Sequence, residues 1–195
     1  MSAKSIFIQK AAMATWIGDK NPSEDAPPHA LQGVVGEIGE LYDHCKKKFH
    51  KSNYGATRDM WLGELGDLHY YTVIRLTEHE FELPPKDVID KLVVKLSENY
   101  ELWQTLKELV KLSGHLLDHD TKQNNALSDY SIIEHALGAI MIRIVLLAKD
   151  ADCDHNELVA RNIYKLQEGH DYSEKGLLHY ASWEDCKEDL DAYDK

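Results

Sequence analysis

The sequence predicts an all-α protein on three observations. Apolar residues recur at intervals of three and four through the segments 30–48 and 60–79, which is the period of an amphipathic helix. No segment shows the β-branched alternation that is typical of a strand. The hydrophobic share of 43% and the charged share of 29% are those of a globular chain, and 195 residues suffice for a sizeable core.

The first two predicted helices are separated by a proline-rich loop. Residues 4–18 form the first helix, and the stretch "NPSEDAPPH" at 21–29 forms the loop. The second helix spans 30–48 and ends in a run of lysines. Such a run suits the negative end of the helix dipole, so we expect the helix to end there.

Two further helices are predicted in the first half. The third spans 60–79 and is broken by "FELPP" at 81–85. The fourth begins at this pair of prolines, because proline is tolerated in the first turn of a helix. Its apolar pattern continues, and we expect it to run to about residue 106.

The second half of the chain repeats motifs of the first. The motif "GELYDH" at 39–44 is matched by "GHLLDH" at 114–119, with four of six positions identical. The motif "LGDLHYY" at 65–71 is matched by "LGAIMIR" at 137–143. Because the matches keep their order and nearly the same offset, we predict a duplicated helical unit that forms a pseudo-dimer within one chain.

This repeat sets the predicted domain organisation. Residues 1–104 form a first half, and residues 105–172 form a degenerate second half packed on it. Residues 173–195 are rich in acidic side chains and are predicted to be a polar, solvated C-terminal tail. A further homodimer of the whole chain remains open.

Four acidic residues of the first half form two pairs. Glu37 and Glu40 are three apart on the second predicted helix, and Glu64 and Asp67 are three apart on the third. Side chains at this spacing share a helix face, so two antiparallel helices would bring all four carboxylates together. Carboxylates this close repel one another and need compensation when buried. The pattern predicts a site for Mg²⁺, with Mn²⁺ as a substitute, because both prefer oxygen ligands.

The repeated half lacks these acids. At the corresponding positions stand Leu112, His115, Ala136 and Ala139. The predicted metal site therefore belongs to one half only.

A glycine precedes each of the four acids. These glycines are Gly36, Gly39, Gly63 and Gly66. A glycine inside a helix costs about 1 kcal/mol relative to alanine, so four of them need a reason. We expect the absent side chains to let the helices approach closely and to leave room for ions and substrate.

The two acidic motifs resemble those of the MazG-like all-α nucleoside triphosphate pyrophosphohydrolases, a superfamily that includes the dimeric all-α dUTPases. Its pattern is ExxE, a spacer and ExxD, often written around GExGEL and ELGD. Here the words are "GEIGEL" at 36–41 and "ELGD" at 64–67. The likeness covers residues 5–96 well and residues 105–170 weakly.

The resemblance implies both a fold and a reaction. The fold is a four-helix core that pairs with a second copy. The reaction is Mg²⁺-dependent cleavage of a nucleoside triphosphate between its α- and β-phosphates, which yields a monophosphate and pyrophosphate. The four acids would hold the metal, and one of them or a neighbouring acid would orient the attacking water.

The resemblance also implies candidate phosphate contacts. Members often carry Asn-x-x-Lys-Leu on the fourth helix, but the first half has Leu92 where Asn is expected. The second half has the motif intact as "NIYKL" at 162–166, so we expect one composite site built from both halves. The candidate contacts are Lys46, Lys47, Lys95, Asn162 and Lys165.

Aromatic and histidine side chains supply weaker candidates. Trp16 and Tyr71 could contact the base or ribose, with core packing as the alternative for Tyr71 and its neighbours His69 and Tyr70. His29 is a similar candidate before the second helix. The spacing of His115 and His119 could hold zinc, but no further ligand set accompanies the pair.

Charge and composition narrow the partners and the compartment. The net charge of −12 leaves the chain poorly equipped to bind a nucleic acid polymer, so the expected partner is a small nucleoside triphosphate. We expect no membrane span, because no run of about 18 apolar residues exists. The N-terminus shows no signal peptide, and three cysteines without a CxxC indicate a reducing, cytoplasmic setting.

Two other functions remain open at this stage. One is a catalytically silent protein of the same fold that binds or senses a nucleotide. The other is a carboxylate-bridged di-iron bundle, although no Glu-x-x-His lies near the acidic pairs. Nucleotide-pool cleaning, dUTP control and turnover of a signalling nucleotide all fit the predicted enzyme.

Overall fold

A computed structural model of the chain describes residues 29–50, 55, 57–78, 86–122, 130–169 and 180–193. These residues form seven α-helices and no strand, so the predicted all-α class is confirmed. The helices are α1 His29–His50, α2 Arg58–Glu78, α3 Lys86–Ser97, α4 Leu102–Lys122, α5 Tyr130–Asp150, α6 His155–Gly169 and α7 Trp183–Tyr193.

The predicted helices agree with the structure except at the fourth. α1 and α2 begin and end within two residues of their predicted bounds. The first predicted helix, with Trp16, lies outside the described residues. The prediction of one continuous helix from the proline pair at 84–85 to about residue 106 is wrong, because α3 ends at Ser97 and α4 begins at Leu102. The Ser97 hydroxyl donates to its own helix at the Val94 carbonyl, and Tyr100 turns into the core.

The core follows from helical periodicity. On α1 the buried apolar positions recur at three and four, at Leu31, Val34, Ile38, Leu41 and Cys45. Burying a leucine or isoleucine of this kind is worth roughly 1.5–3 kcal/mol, so this face fixes which side of α1 meets the rest of the protein. The acidic pair of α1 lies beside this face.

Helix contacts have an approximate twofold pattern. α2 packs on α1, α5 and α6, and α5 packs on α4, α2, α3 and α6. Exchanging α1 with α4, α2 with α5 and α3 with α6 converts the α1–α2 contact into α4–α5 and the α2–α6 contact into α5–α3. A duplicated unit would produce such a pattern, and the duplication itself stays a prediction. In it, the last helix of each half packs on the other half.

α5 is apolar on nearly all sides. Its segment Ser131–Asp150 is long and apolar enough to cross a membrane by length and composition alone, which corrects the expectation that no segment would pass that test. More than half of the tested window is buried inside the structure. Because α5 packs on four other helices, its composition is also that of a core helix.

The C-terminal segment contains a packed helix. α7 lies on α6 and buries Cys186 and Leu190, which are four residues apart. Just before α7, the Tyr180 backbone makes two hydrogen bonds with the Gln167 side chain, at 2.6 and 3.1 Å. The prediction of a solvated polar tail is therefore wrong for residues 183–193. Their composition is acidic, but Cys186 and Leu190 form a short apolar stripe that packs on α6.

Candidate functional site

Three carboxylates converge where α1 packs on α2. Glu37 and Glu40 on α1 and Glu64 on α2 each offer an oxygen, and these oxygens lie within 4.8 Å of one another. Glu40 is exposed, whereas Glu37 and Glu64 are half-buried. The i, i+3 spacing on α1 directs both of its acids toward α2, as the sequence predicts.

The fourth acid, Asp67, is held by α6 of the second half. Its Oδ1 accepts a hydrogen bond of 2.8 Å from Asn162 Nδ2, and its Oδ2 accepts one from the Lys165 ammonium. Asp67 is not one of the three residues whose oxygens converge, but its charge acts on Glu37. The structure thus brings the "NIYKL" motif of the second half to the acids of the first.

Crowding of negative charge changes the protonation of the site. Burial first, and then the nearby Asp67 and Glu64, raise the pKa of Glu37 to about 8. Burial also raises the pKa of Asp67, although its bonds to Lys165 and Asn162 oppose this. Burial alone would lower the pKa of Lys165, but the bond to Asp67 and the neighbouring carboxylates raise it overall. Without a cation, the site therefore holds a proton on Glu37 at neutral pH.

Two buried oxygens at this site have no donor among the described residues. They are Glu37 Oε2 and Asn162 Oδ1. Leaving a buried acceptor without a partner costs about 1–3 kcal/mol. The site is thus electrostatically and sterically suited to a group that supplies positive charge.

The glycines before the acids serve different purposes. A Cβ added to Gly66 would lie 3.1 Å from the Asn162 Cβ, so this glycine permits the approach of α6. The close-approach explanation is wrong for the other three, because an added Cβ would meet nothing within 4 Å at Gly36, Gly39 or Gly63. These three leave open space beside the carboxylates.

Tyr71 lies beside the acids and packs on Gly33, a glycine to which the sequence motifs assigned no role. An added Cβ on Gly33 would lie 2.3 Å from the Tyr71 ring, so the ring rests directly on the α1 backbone. Burial and the charges of Glu37 and Asp67 raise the pKa of the half-buried Tyr71. Its predicted contact with substrate stays a prediction, now with a position next to the acids.

The lysines predicted to contact phosphate lie at different places in the structure. Lys47 forms an ion pair of 2.5 Å with Asp43 on its own helix, and Lys46 is exposed. Lys95 lies on α3, which packs on α5 and, among the described helices, on no other. Lys165 therefore reaches the acids because α6 packs on α2, whereas the helix that carries Lys95 packs on α5 instead.

His44 belongs to the edge of the site and was missed from the sequence. Its Nε2 lies 3.4 Å from Glu64 Oε1. It follows Glu40 by four residues on α1, and this i, i+4 spacing was the available signal. The site therefore offers an imidazole nitrogen beside its carboxylates.

The remaining histidines have other surroundings. His69 is fully buried, and its Nε2 lies 2.9 Å from the Nε2 of His155 at the start of α6. Burial, followed by the proximity of His155, lowers the pKa of His69 well below its usual value. His115 and His119 belong to no metal-binding group found in the described part of the chain, so the zinc hypothesis gains nothing. His29 begins α1.

A small cavity lies along the groove between α2 and α6, with the start of α7 as part of its wall. It has a volume of about 180 Å³. The lining residues are Asp59, Leu62, Gly63, Arg161, Asn162, Tyr164, Lys165 and Trp183. None of the four acids lines this cavity, and its connection with them is through Asn162 and Lys165, which bind Asp67.

A larger cavity of about 960 Å³ lies elsewhere, between α3, α5 and the beginning of α6. Its walls combine valines such as Val93 and Val145 with acidic side chains such as Asp154. Neither the four acids nor Asn162 and Lys165, which bind Asp67, line it. Size alone therefore does not mark it as the reactive centre.

Comparison of the chain with family models, with curated proteins and with solved structures found no match. The MazG-like assignment consequently stays a prediction from the two acidic motifs. What the structure adds is the geometry of Glu37, Glu40, Glu64 and Asp67 with their α6 partners.

Proposed function

We propose that this protein is a Mg²⁺-dependent nucleoside triphosphate pyrophosphohydrolase that cleaves between the α- and β-phosphates. One observation carries the proposal: three carboxylate oxygens lie within 4.8 Å of one another beside an Asp67 that is held by Asn162 and Lys165. Anionic oxygens so close are suited to a hard cation. The motifs "GEIGEL" and "ELGD" connect this arrangement with the MazG-like reaction.

The residues fit Mg²⁺ by their chemistry. The candidate ligand atoms of Glu37, Glu40 and Glu64 are all carboxylate oxygens. Glu37 Oε2 is buried and accepts no hydrogen bond from the described residues. Burial first, and then the charges of Asp67 and Glu64, raise the pKa of Glu37, and a bound cation would offset this cost of ionisation. Glu37, Glu40 and Glu64 would hold the ion, with Asp67 beside them. When bound, Mg²⁺ would neutralise this charge and polarise a phosphate oxygen.

The chain's own residues would bind and orient the substrate. The Lys165 ammonium is partly exposed and can donate to a phosphate while it stays near Asp67. Asn162 is buried and positions Asp67 through its amide hydrogen bond. One of the carboxylates would accept a proton from the attacking water, because an ionised carboxylate is an acceptor at every lone pair.

A direct test replaces Glu40 by its neutral isostere. Glu40→Gln removes one charge from the cluster at an exposed position, so it should spare the fold. We expect a loss of at least about 100-fold in pyrophosphate release with Mg²⁺, the scale of lost electrostatic stabilisation. Glu134→Gln, an exposed acid on α5, is the matched control and should retain activity.

The substrate screen should include ribonucleoside, deoxynucleoside and damaged triphosphates, with Mg²⁺ or Mn²⁺. Product analysis separates α–β cleavage, which releases pyrophosphate, from γ cleavage, which releases phosphate. A wild-type protein that releases pyrophosphate from none of them would refute the proposal. Retained turnover in Glu40→Gln would remove that residue from the mechanism.

One observation favours a second candidate, a carboxylate-bridged transition-metal protein. His44 Nε2 lies 3.4 Å from Glu64 Oε1, so an imidazole is available beside the carboxylates. Imidazole favours iron, zinc or copper over Mg²⁺. Metal content and visible absorbance of the purified protein discriminate the two: bound iron would favour this candidate, and activity that Mg²⁺ restores after chelation would favour the hydrolase.

We also propose that the protein works in a reducing compartment such as the cytoplasm. Its three cysteines, Cys45, Cys153 and Cys186, are all buried, and none of them forms a disulfide bond. Burial raises the pKa values of Cys45 and Cys153, which keeps their thiols protonated and unreactive. None of them needs a disulfide partner for the packing that is described.

A further inference from the structure

The small cavity between α2 and α6 has walls of two kinds. One part of its wall is polar and consists of Asn162 and Lys165, which bind Asp67. Leu62 and the aromatic rings of Tyr164 and Trp183 also line it. Trp183 is the first residue of α7, so part of this wall comes from the helix that the sequence did not predict.

Arg161 joins the two kinds of wall. Its guanidinium carbon lies 4.1 Å from the centre of the Trp183 ring, which is a cation–π contact. Its Nε donates to Glu157 at 2.8 Å, and its Nη1 donates to Asp59 at 3.2 Å. Glu157 also pairs with Arg58 at 3.2 Å, so two guanidinium groups and two carboxylates balance one another there and no net positive charge is left for a phosphate.

Charge is arranged differently at the opposite end of the cavity. Lys165 lies next to Asp67 and is half-exposed, so its ammonium can serve a phosphate at the acidic cluster. Glu157 and Asp59 lie around Arg161 instead. An elongated ligand with an anionic end and a flat, uncharged end would therefore enter with the anion toward Lys165 and the flat group toward Arg161 and Trp183.

We propose that this cavity binds the nucleobase of the substrate, with the stacked Arg161 and Trp183 as its platform and Tyr164 as a second wall. The inference rests on the proposed function and adds the location of base recognition. Aromatic rings and guanidinium planes are the surfaces on which bases stack. The volume of about 180 Å³ is below the ~300–1,000 Å³ of pockets for drug-sized ligands, so it suits one ring system.

The test compares a substrate that has a base with one that has none. Trp183→Leu keeps an apolar side chain but removes the ring, and Trp103→Leu is the matched control on α4, where Trp103 packs on Tyr42. We expect Trp183→Leu to raise KM for the best nucleoside triphosphate about tenfold, the scale of a lost base stack, with kcat little changed. Hydrolysis or competitive binding of inorganic triphosphate should stay at the wild-type level.

A second variant guards against misfolding of α7. Arg161→Lys keeps the charge that faces Glu157 and Asp59 but loses the planar group that stacks. It should also raise KM for the nucleotide and leave inorganic triphosphate unaffected. Circular dichroism and thermal unfolding of each variant check that the helices remain folded.

The results distinguish the two proposals. Equal KM values for wild type and both variants, in a protein that hydrolyses nucleotides, would overturn base binding in this cavity and leave the enzyme assignment intact. A selective KM increase in Tyr71→Leu alone would place the base on the other side of the acids and would equally overturn it. A wild-type protein that neither binds nor cleaves any triphosphate would refute the function and this inference together.

Discussion

Glu37→Gln should change how the stability of the metal-free protein depends on pH. Glu37 has a pKa of about 8 in the folded protein, against 4.5 as its ordinary value. The folded state therefore binds more protons than the unfolded state between these values, and stability falls as pH rises through that window. Below pH 4.5 the carboxyl is protonated in both states, so the wild type and the variant should differ little.

The magnitude follows from the two pKa values. A change from 4.5 to about 8 corresponds to an upper bound of roughly 5 kcal/mol at 1.36 kcal/mol per pH unit. Glu37 is only half-buried, so water and counter-ions reduce this strongly. We expect Glu37→Gln to be more stable than the wild type by about 1–2 kcal/mol above pH 8. For a chain of this length, that raises Tm by about 2–8 °C.

The assay is thermal or urea unfolding with a chelator at pH values from 4.5 to 9. Glu40→Gln is the matched control, because it removes the same charge from an exposed position on the same helix. We expect the difference in stability between Glu37→Gln and the wild type to grow with pH, and the difference for the control to be smaller. Adding Mg²⁺ should stabilise the wild type more than Glu37→Gln, because binding to the folded state shifts the equilibrium.

Parallel stability curves for the wild type and Glu37→Gln across this range would refute the argument. Such a result would mean that the three carboxylates do not crowd one another in solution. The proposed reason for a cation at this site would then be lost. A Tm that responds to Mg²⁺ equally in both proteins would place the ion elsewhere.

Three further predictions address the surroundings of the site. Gly33→Ala should lower the free energy of unfolding by about 1–3 kcal/mol in urea titrations, because the new methyl would lie 2.3 Å from the Tyr71 ring. Leu190→Ala should lower the free energy of unfolding by about 2–5 kcal/mol, because Leu190 is buried where α7 packs on α6. An unchanged free energy of unfolding would mean that this segment is a solvated tail after all. Asn162→Ala combined with Lys165→Ala should slow pyrophosphate release at least about tenfold while circular dichroism stays unchanged, since Asp67 loses both partners.

Local pattern was sufficient to predict the helices that carry the acids. The buried positions of α1 follow from a period visible in the sequence, and so does the common direction of Glu37 and Glu40. The intact motif in the second half predicted that Asn162 and Lys165 lie at the acidic site, although as phosphate contacts and not as the partners of Asp67 that they are in the structure. These inferences succeed because each depends on spacing within a helix plus one assumption about which helices meet.

Features that depend on tertiary packing were not predictable in the same way. Lys95 and Lys165 occupy similar motifs, and only the arrangement of helices decides which one reaches the acids. The pairing of Arg161 with Trp183 needs α7, whose buried stripe lies within an acidic stretch. The role of the glycines was also not predictable from the sequence, because Gly63 and Gly66 both precede an acid. A Cβ added to Gly66 would lie 3.1 Å from Asn162 of α6, whereas a Cβ added to Gly63 would meet open space.

The twofold pattern of helix contacts accounts for the meeting of Asp67 with residues of α6. α3 packs on α5 and α6 packs on α2, so each half depends on the other for the helix that covers its central helix. In the predicted repeat, Ala139 corresponds to Asp67, and Leu92 corresponds to Asn162. Alanine and leucine create no electrostatic repulsion, so that counterpart is stable without a cation. At the four acids the repulsion remains, and Asp67 contacts Asn162 and Lys165 of α6. In the proposed enzyme these contacts would make α6 part of the site, because removal of either partner would leave Asp67 less compensated.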